Sequence, residues 1–375
     1  MLKMIYYNIL FYNNIIMYTK DSLTLKKYHS SKTVHLGSNE LRKVYTLFNK
    51  IKLLDLEKVD DFKTNSVENV TVNNPYITEN VQKQLKFLKK QTTAKFKIGN
   101  INLTIFIYHK TKENIDKFIN ELLELLTFLF SLYPVNRNIE IKFYLTDAKK
   151  QLPNFLPDDF TFQRDQANSG SCMRVGDEST VEIWRKEEIL KVTIHELIHA
   201  LCIDEINDNT DIIQYYQNKY QINSEKINTN EAYTEIWANI INCFWISQNY
   251  SNNKKKHYDQ FKLLLSLEYE HCLFQTCKLF KIVGLNEKTV DINRDTNILA
   301  YYVIRCELYE NFKDFLKICI HYSKNNYLGI DQSQWFILLK NNPIIERNDK
   351  KINRLKTNDF RYKTTRMTCI ELDVF

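Results

Sequence analysis

Two histidines four residues apart, His195 and His199, with Glu196 between them, are the residues of this chain best placed to do chemistry. On a helix, positions i and i+4 lie on one face with Cβ atoms about 5–6 Å apart, so both rings can meet one ion at zinc–nitrogen bonds of about 2.0–2.1 Å. Glu196 falls one step round the helix, beside such an ion and not on it. There a carboxylate can take a proton from metal-bound water. His-Glu-x-x-His is a signature spacing for zinc-activated hydrolysis.

A catalytic zinc takes three protein ligands and keeps a fourth place for water. Downstream, Glu231 and Glu235 repeat the four-residue spacing in Asn230-Glu231-Ala232-Tyr233-Thr234-Glu235. Glu231 could be the third ligand, and Glu235 could accept a hydrogen bond from the outer ring nitrogen of a ligand histidine, fixing its tautomer. Asp204 and Glu205 compete for the third place. Asp204 reaches the site only if the first helix ends early, and with Cys202 where a glycine would turn the chain, Glu205 is expected to continue the helix or face solvent.

The elements that must position these groups follow from patterning. Ile189–Ile203 is apolar nearly all round, interrupted only by Lys191, His195, Glu196 and His199, which predicts a buried helix. Two imidazoles and a carboxylate buried without partners would be costly, so something must compensate them. Before this helix, Ala94–Ile98 and Ile101–Tyr108 alternate around Gly99-Asn100 and predict a hairpin. Glu113–Leu132 has helical periodicity, Ile139–Leu145 alternates as a strand, and Ser169–Arg174 with Thr180–Trp184 predicts a second hairpin through Gly176-Asp177. After it, helices are expected over Asp211–Tyr220, Glu231–Gln248, His257–Val283, Ile298–Tyr322 and Gln332–Lys340. The reading is an α+β fold: a small sheet with a backing helix and an active-site helix, followed by a mainly helical C-terminal subdomain. It divides the chain into 1–93 of unassigned role, 94–205 with the metal helix, 206–345 with the third ligand, and a basic tail over 346–375. That tail is expected to be solvated or partner-bound. Within the first region only a helical patch near Leu41–Leu56 and a short basic helix from Asn80 to Gln91 stand out.

Composition narrows the function classes. Only 6 Gly and 5 Pro in 375 residues point to a helix-rich chain with polar loops. A net charge of +7 is too small to argue for nucleic acid, although the basic tail leaves that contact open. The 8 Cys are scattered without a Cys-x-x-Cys pair, which predicts reduced thiols and a cytoplasmic location. Met1–Tyr18 is apolar but broken by Lys3 and three asparagines, so a strand or loose extension is expected there in preference to a signal peptide. No membrane span is expected. The absence of a Gly-rich phosphate loop disfavours nucleotide chemistry.

His195-Glu196-x-x-His199 followed by Asn230-Glu231-x-x-Thr234-Glu235 resembles the gluzincin metallopeptidases, the thermolysin-like clan, over about residues 94–250. Residues 184–188, Trp-Arg-Lys-Glu-Glu, leading into the metal helix are also similar to uncharacterised metallopeptidase-like proteins of large DNA viruses, with host cytoplasm or virion as the implied location. The gluzincin resemblance implies a zincin-like fold and Zn2+ on His195, His199 and Glu231. It further implies Glu196 as general base, Glu235 as the carboxylate behind the ligands, and a peptide or protein substrate held along the strand at Gly170–Met173 or its partner. It also implies a downstream His or Tyr for the oxyanion, for which Tyr301, Tyr302 and His271 are the candidates. The competing expectation is a non-catalytic virion or scaffold interaction protein of the same fold.

Overall fold

The frame of the protein is a six-stranded mixed sheet in the order β1 (Leu56–Ser66), β2 (Lys90–Ile98), β3 (Ile101–His109), β4 (Arg137–Tyr144), β6 (Glu178–Ile183), β5 (Gly170–Val175). The computed structural model describes residues 18–29, 36, 38–249, 256–285, 287, 289–322, 328–346 and 348–375. The alternation that predicts strands also places side chains. Ile101, Leu103, Ile105 and Ile107 of β3 are buried beside Ala94, Phe96 and Ile98 of β2 and Ile139, Ile141 and Phe143 of β4, forming one apolar face across three strands.

The pair β3–β4 is parallel, so its connection must cross over, and the helix Asp116–Leu132 does so. Its Phe118 meets Phe143 edge-on at 5.2 Å between ring centres, which seats the helix on that face. Next, β6 joins β4 in parallel, and β5 folds back antiparallel to β6 as the last strand of the sheet. Gly176, at φ +56, supplies the left-handed residue in the connecting turn.

Directly after β6 comes the site helix, Ile189–Ala200, packed on β5, β6 and a long partner helix, Thr229–Asn249. Every residue of the site helix is buried except the partly exposed His199. The remaining chain is mainly helical: Thr210–Tyr220, His257–Val283, Arg305–Glu310, Phe312–Tyr322 and Gln332–Asn341. The α+β class and helical C-terminal region therefore match the sequence reading. No helix among the described residues is long and apolar enough to cross a membrane.

Four expectations need correction. First, Ile298–Tyr322 is not one helix: a π-helical turn at Leu299–Ile304 is followed by Arg305–Glu310, a break at Asn311 and a further helix. Second, residues 18–93 contain β1 and the helix Lys20–His29, neither of which has a strong apolar period. The patch near Leu41–Leu56 is the shorter helix Asn39–Asn49, capped by Ser38 Oγ on Leu41 N–H at 3.1 Å. Third, the basic helix is the single stretch Glu79–Leu85. Fourth, the tail is not solvated to its end. Thr364–Ile370 is fully buried, with the Arg366 guanidinium 2.8 Å from Glu371. The expectation for Met1–Tyr18 lies outside the described residues except for Tyr18, which bridges to Leu372.

Candidate metal centre

The site helix stops one turn earlier than its apolar run. Cys202 takes the left-handed conformation at φ 58, its N–H donates to the His199 carbonyl at 3.0 Å, and Ile203 N–H donates to the Ile198 carbonyl at 3.1 Å. This is a Schellman ending made without glycine. It turns Asp204 back toward the helix, where Oδ2 accepts from His199 Nδ1 at 2.7 Å. Glu205 faces solvent. Asp204 is therefore behind a histidine and not among the converging donors, and Glu205 takes no part.

The partner helix delivers Glu231 from its first turn. Asp208 fixes that start by accepting from Thr229 N–H at 2.9 Å, and Asn297 Nδ2 donates to Glu231 Oε1 at 3.2 Å. The other carboxylate oxygen, Oε2, is thereby aimed at the histidines. It lies 3.3 Å from His195 Nε2 and 3.4 Å from His199 Nε2, and the two ring nitrogens are 3.1 Å apart. Glu231 Oε2 is buried and accepts no hydrogen bond. Three donor atoms facing one another with an orphaned carboxylate oxygen is what a shared cation relieves, so this triad could hold a metal ion.

Behind the triad a carboxylate faces each outer nitrogen. His195 Nδ1 lies 3.3 Å from Glu235 Oε1, and Glu235 Oε2 is paired with Lys191 Nζ and, at 3.2 Å, with Arg305 Nη1. Burial alone would push Glu235 up, but Lys191, His195 and Arg305 outweigh it and hold the carboxyl well below the usual range. Glu231 is likewise lowered against its burial by the two imidazoles. Burial opposes charge on the histidines too, yet Glu231 and Glu235 raise His195, and Glu231 and Asp204 raise His199 further. A pocket that draws positive charge onto imidazoles this strongly would draw a cation.

These groups open into a cleft of about 200 Å³ lined by β5, the site helix, Glu231, Asn297 and Tyr301. Glu196 stands in its wall, and burial raises its carboxyl despite His195 and His199. A Cβ at position 170 would lie 2.7 Å from Glu196 Oε1 and 2.8 Å from its Cγ, so only glycine lets β5 pass this close. Of the three oxyanion candidates, Tyr301 alone lines the cleft, with its ring centre 6.1 Å from that of His195. Tyr302 donates to the Thr365 carbonyl at 2.6 Å, and His271 is buried against His29 at 3.2 Å. Both are thereby removed from the site.

Sequence reasoning brought His195, Glu196, His199, Glu231 and Glu235 together, and the structure places all five in one cluster. It missed Asp204 in its role behind His199, and also Asn297, Lys191 and Arg305, and it named Gly170 only as part of the substrate strand, not for its contact with Glu196. Asn297 and Arg305 lie 66 and 70 positions from Glu231 and Glu235, and no local pattern could announce them. No protein-family model matches the chain, and no curated protein matches it in sequence.

Proposed function

We propose that this chain is a zinc-dependent peptidase. The observation that carries the reading is the triangle of donors on two helices, with edges of 3.1, 3.3 and 3.4 Å. Two bonds of about 2.0–2.1 Å meeting at a tetrahedral angle span about 3.3–3.4 Å, so His195, His199 and Glu231 are spaced as three ligands that would hold one zinc ion. The gluzincin-like spacing of the same residues agrees, and the sheet flanked by the two helices suits a zincin-like fold.

Bound there, zinc would lower the pKa of its water toward about 7 and polarise the scissile carbonyl. The chain supplies the rest. Glu196, buried and raised in pKa, accepts a proton from the attacking water and returns it to the leaving nitrogen. Asp204 bonds the outer nitrogen of His199, and Glu235 stands 3.3 Å from that of His195, so both Nε2 lone pairs are left for the metal. β5 pairs only with β6 among the described residues, so its outer edge can take a substrate backbone as an added strand. Tyr301, which lines the cleft, would steady the developing oxyanion.

The test is zinc content together with cleavage of a mixed peptide set, for wild type and Glu196→Gln. One zinc per chain in both proteins, with turnover about 10²- to 10⁴-fold lower in the variant, is expected. A chain that binds no zinc, or a variant that cuts as fast as wild type, ends the proposal.

A further inference from the structure

One cation in the cleft has no task in that chemistry. Arg174 lies on β5, is exposed, and makes no ion pair among the described residues, while lining the same cleft as the triad. Three acids share the cleft with it, and none forms an ion pair with it among the described residues. Glu231 faces the imidazoles, Asp204 bonds His199 and Asn230, and Glu196 is packed against Gly170. The Arg174 side chain leans on the Cys202 thiol, at the turn where the site helix ends.

Strand geometry fixes where this charge stands. Side chains at alternate positions share a face, so Gly170, Cys172 and Arg174 look the same way. That face is turned to the site helix, since Gly170 abuts Glu196. At about 3.3 Å per residue, Arg174 is roughly 13 Å along the strand from Gly170 and about 7 Å beyond Cys172. A peptide laid along β5 with its scissile bond near Glu196 would therefore bring a group about four residues from that bond over the guanidinium. The cleft as a whole is lined by hydrogen-bonding groups such as Asn168, Asn230, Asn297 and Ser171, beside Tyr76 and Tyr301, and it holds no aliphatic side chain. Such a wall offers little to a large apolar residue and a charge-assisted partner to a carboxylate.

We propose that Arg174 makes the cleft selective for peptides that present a carboxylate about four residues from the bond cleaved. This rests on the peptidase reading for the word "cleaved" but not for the recognition itself. The carboxylate can belong to an Asp or Glu side chain or to a free chain end.

The experiment uses the zinc-loaded full chain and matched peptides: Glu against Gln at each position with both termini blocked, and a neutral series with free or amidated C-terminus. Binding is read by fluorescence anisotropy on Glu196→Gln protein, and cleavage on protein with Glu196 intact. One carboxylate position should improve binding about tenfold and lower KM more than it changes kcat. A gain in the blocked Glu series identifies a side-chain acid, and a gain only with the free terminus identifies a chain end. Arg174→Gln should abolish the preference, and Arg174→Glu should reverse it toward Lys peptides, which misfolding cannot imitate. If wild type cuts Glu and Gln peptides alike, or if both variants keep the preference, the inference falls while the peptidase reading stands. If Arg174-dependent carboxylate binding is found but nothing is cleaved, the inference stands and the peptidase reading falls.

Discussion

Asp204 Oδ2 lies 2.7 Å from Nδ1 of His199, on the side of the ring away from Glu231. The carboxylate fixes the tautomer in which Nδ1 carries the proton and Nε2 offers its lone pair to the cleft. Asn230 Nδ2 holds the same oxygen at 3.1 Å, which ties this carboxylate to the residue preceding the third donor. Asp204→Asn should weaken zinc binding by about 10- to 100-fold, measured by competition with a chromophoric chelator. An unchanged dissociation constant would show that His199 needs no such partner.

Gly170 sets how closely β5 approaches Glu196. In Gly170→Ala the new methyl meets Oε1, Cγ and Cδ of that side chain at 2.7–3.0 Å, so either the carboxylate or the strand must move. The donor triad lies on two other segments and should keep its metal. Zinc content near wild type with turnover lowered about 10²-fold is the expected result, because displacement of a reacting group by about 1 Å costs that much. Loss of zinc together with activity would point instead to collapse of the helix.

Acid should destabilise the fold through a histidine pair remote from the cleft. His29 Nε2 and His271 Nδ1 are 3.2 Å apart, and both rings are buried. Burial lowers His29 to about 3, helped by Lys351 and Lys278, and lowers His271 well below its ordinary value, helped by His29. Between pH about 6.5 and about 3 the unfolded chain thus binds more protons than the folded one. Stability from this pair is fully present above about pH 6.5 and is lost as the pH falls through that window, with a slope of up to about 1.4 kcal/mol per pH unit for each ring. Urea melts of wild type and His29→Phe between pH 7.5 and 5 test this, the variant losing stability less steeply. Equal slopes would assign the acid sensitivity elsewhere.

What could be read without coordinates was whatever repeats at short range. The helix His257–Val283 has the bounds its period predicts, and the hairpin turns at Gly99-Asn100 as patterned, although β2 begins at Lys90, four residues before the alternation at Ala94. β1, with sequence Leu-Glu-Lys-Val-Asp-Asp-Phe-Lys-Thr-Asn-Ser, buries no residue fully and is held by its backbone ladder to β2, so it shows no period-2 stripe. The five clustered site residues were legible because two helices each repeat a functional residue every fourth position. Asp204 was read only as a rival ligand because its place depends on a left-handed Cys202, a conformation that favours glycine and that no local signal predicts. Arg305 reaches Glu235 from another helix and in turn donates to the Met367 carbonyl at 2.8 Å, so the buried end of the chain supports the site by a contact visible only in three dimensions.

Glu235 and Asp204 each stand behind a histidine, yet their removal should differ in kind. Among the described residues Asp204 has no cationic side chain bonded to it other than His199, so its loss orphans no buried lysine or arginine. Glu235 is the common partner of Lys191 and Arg305, whose side chains are 3% and 0% exposed. Glu235→Ala leaves both cations buried with no carboxylate bonded to them and His195 Nδ1 without its acceptor, a change of the type that costs about 3–5 kcal/mol. Lys191→Met leaves the Arg305 pair intact and should cost less. Because the penalty comes from uncompensated charge and not from the metal, it should persist in chelator-treated protein, where urea denaturation measures it without a zinc contribution. If Glu235→Ala stays within about 1 kcal/mol of wild type after chelation but still binds zinc poorly, Glu235 only orients His195 and the two cations find other partners.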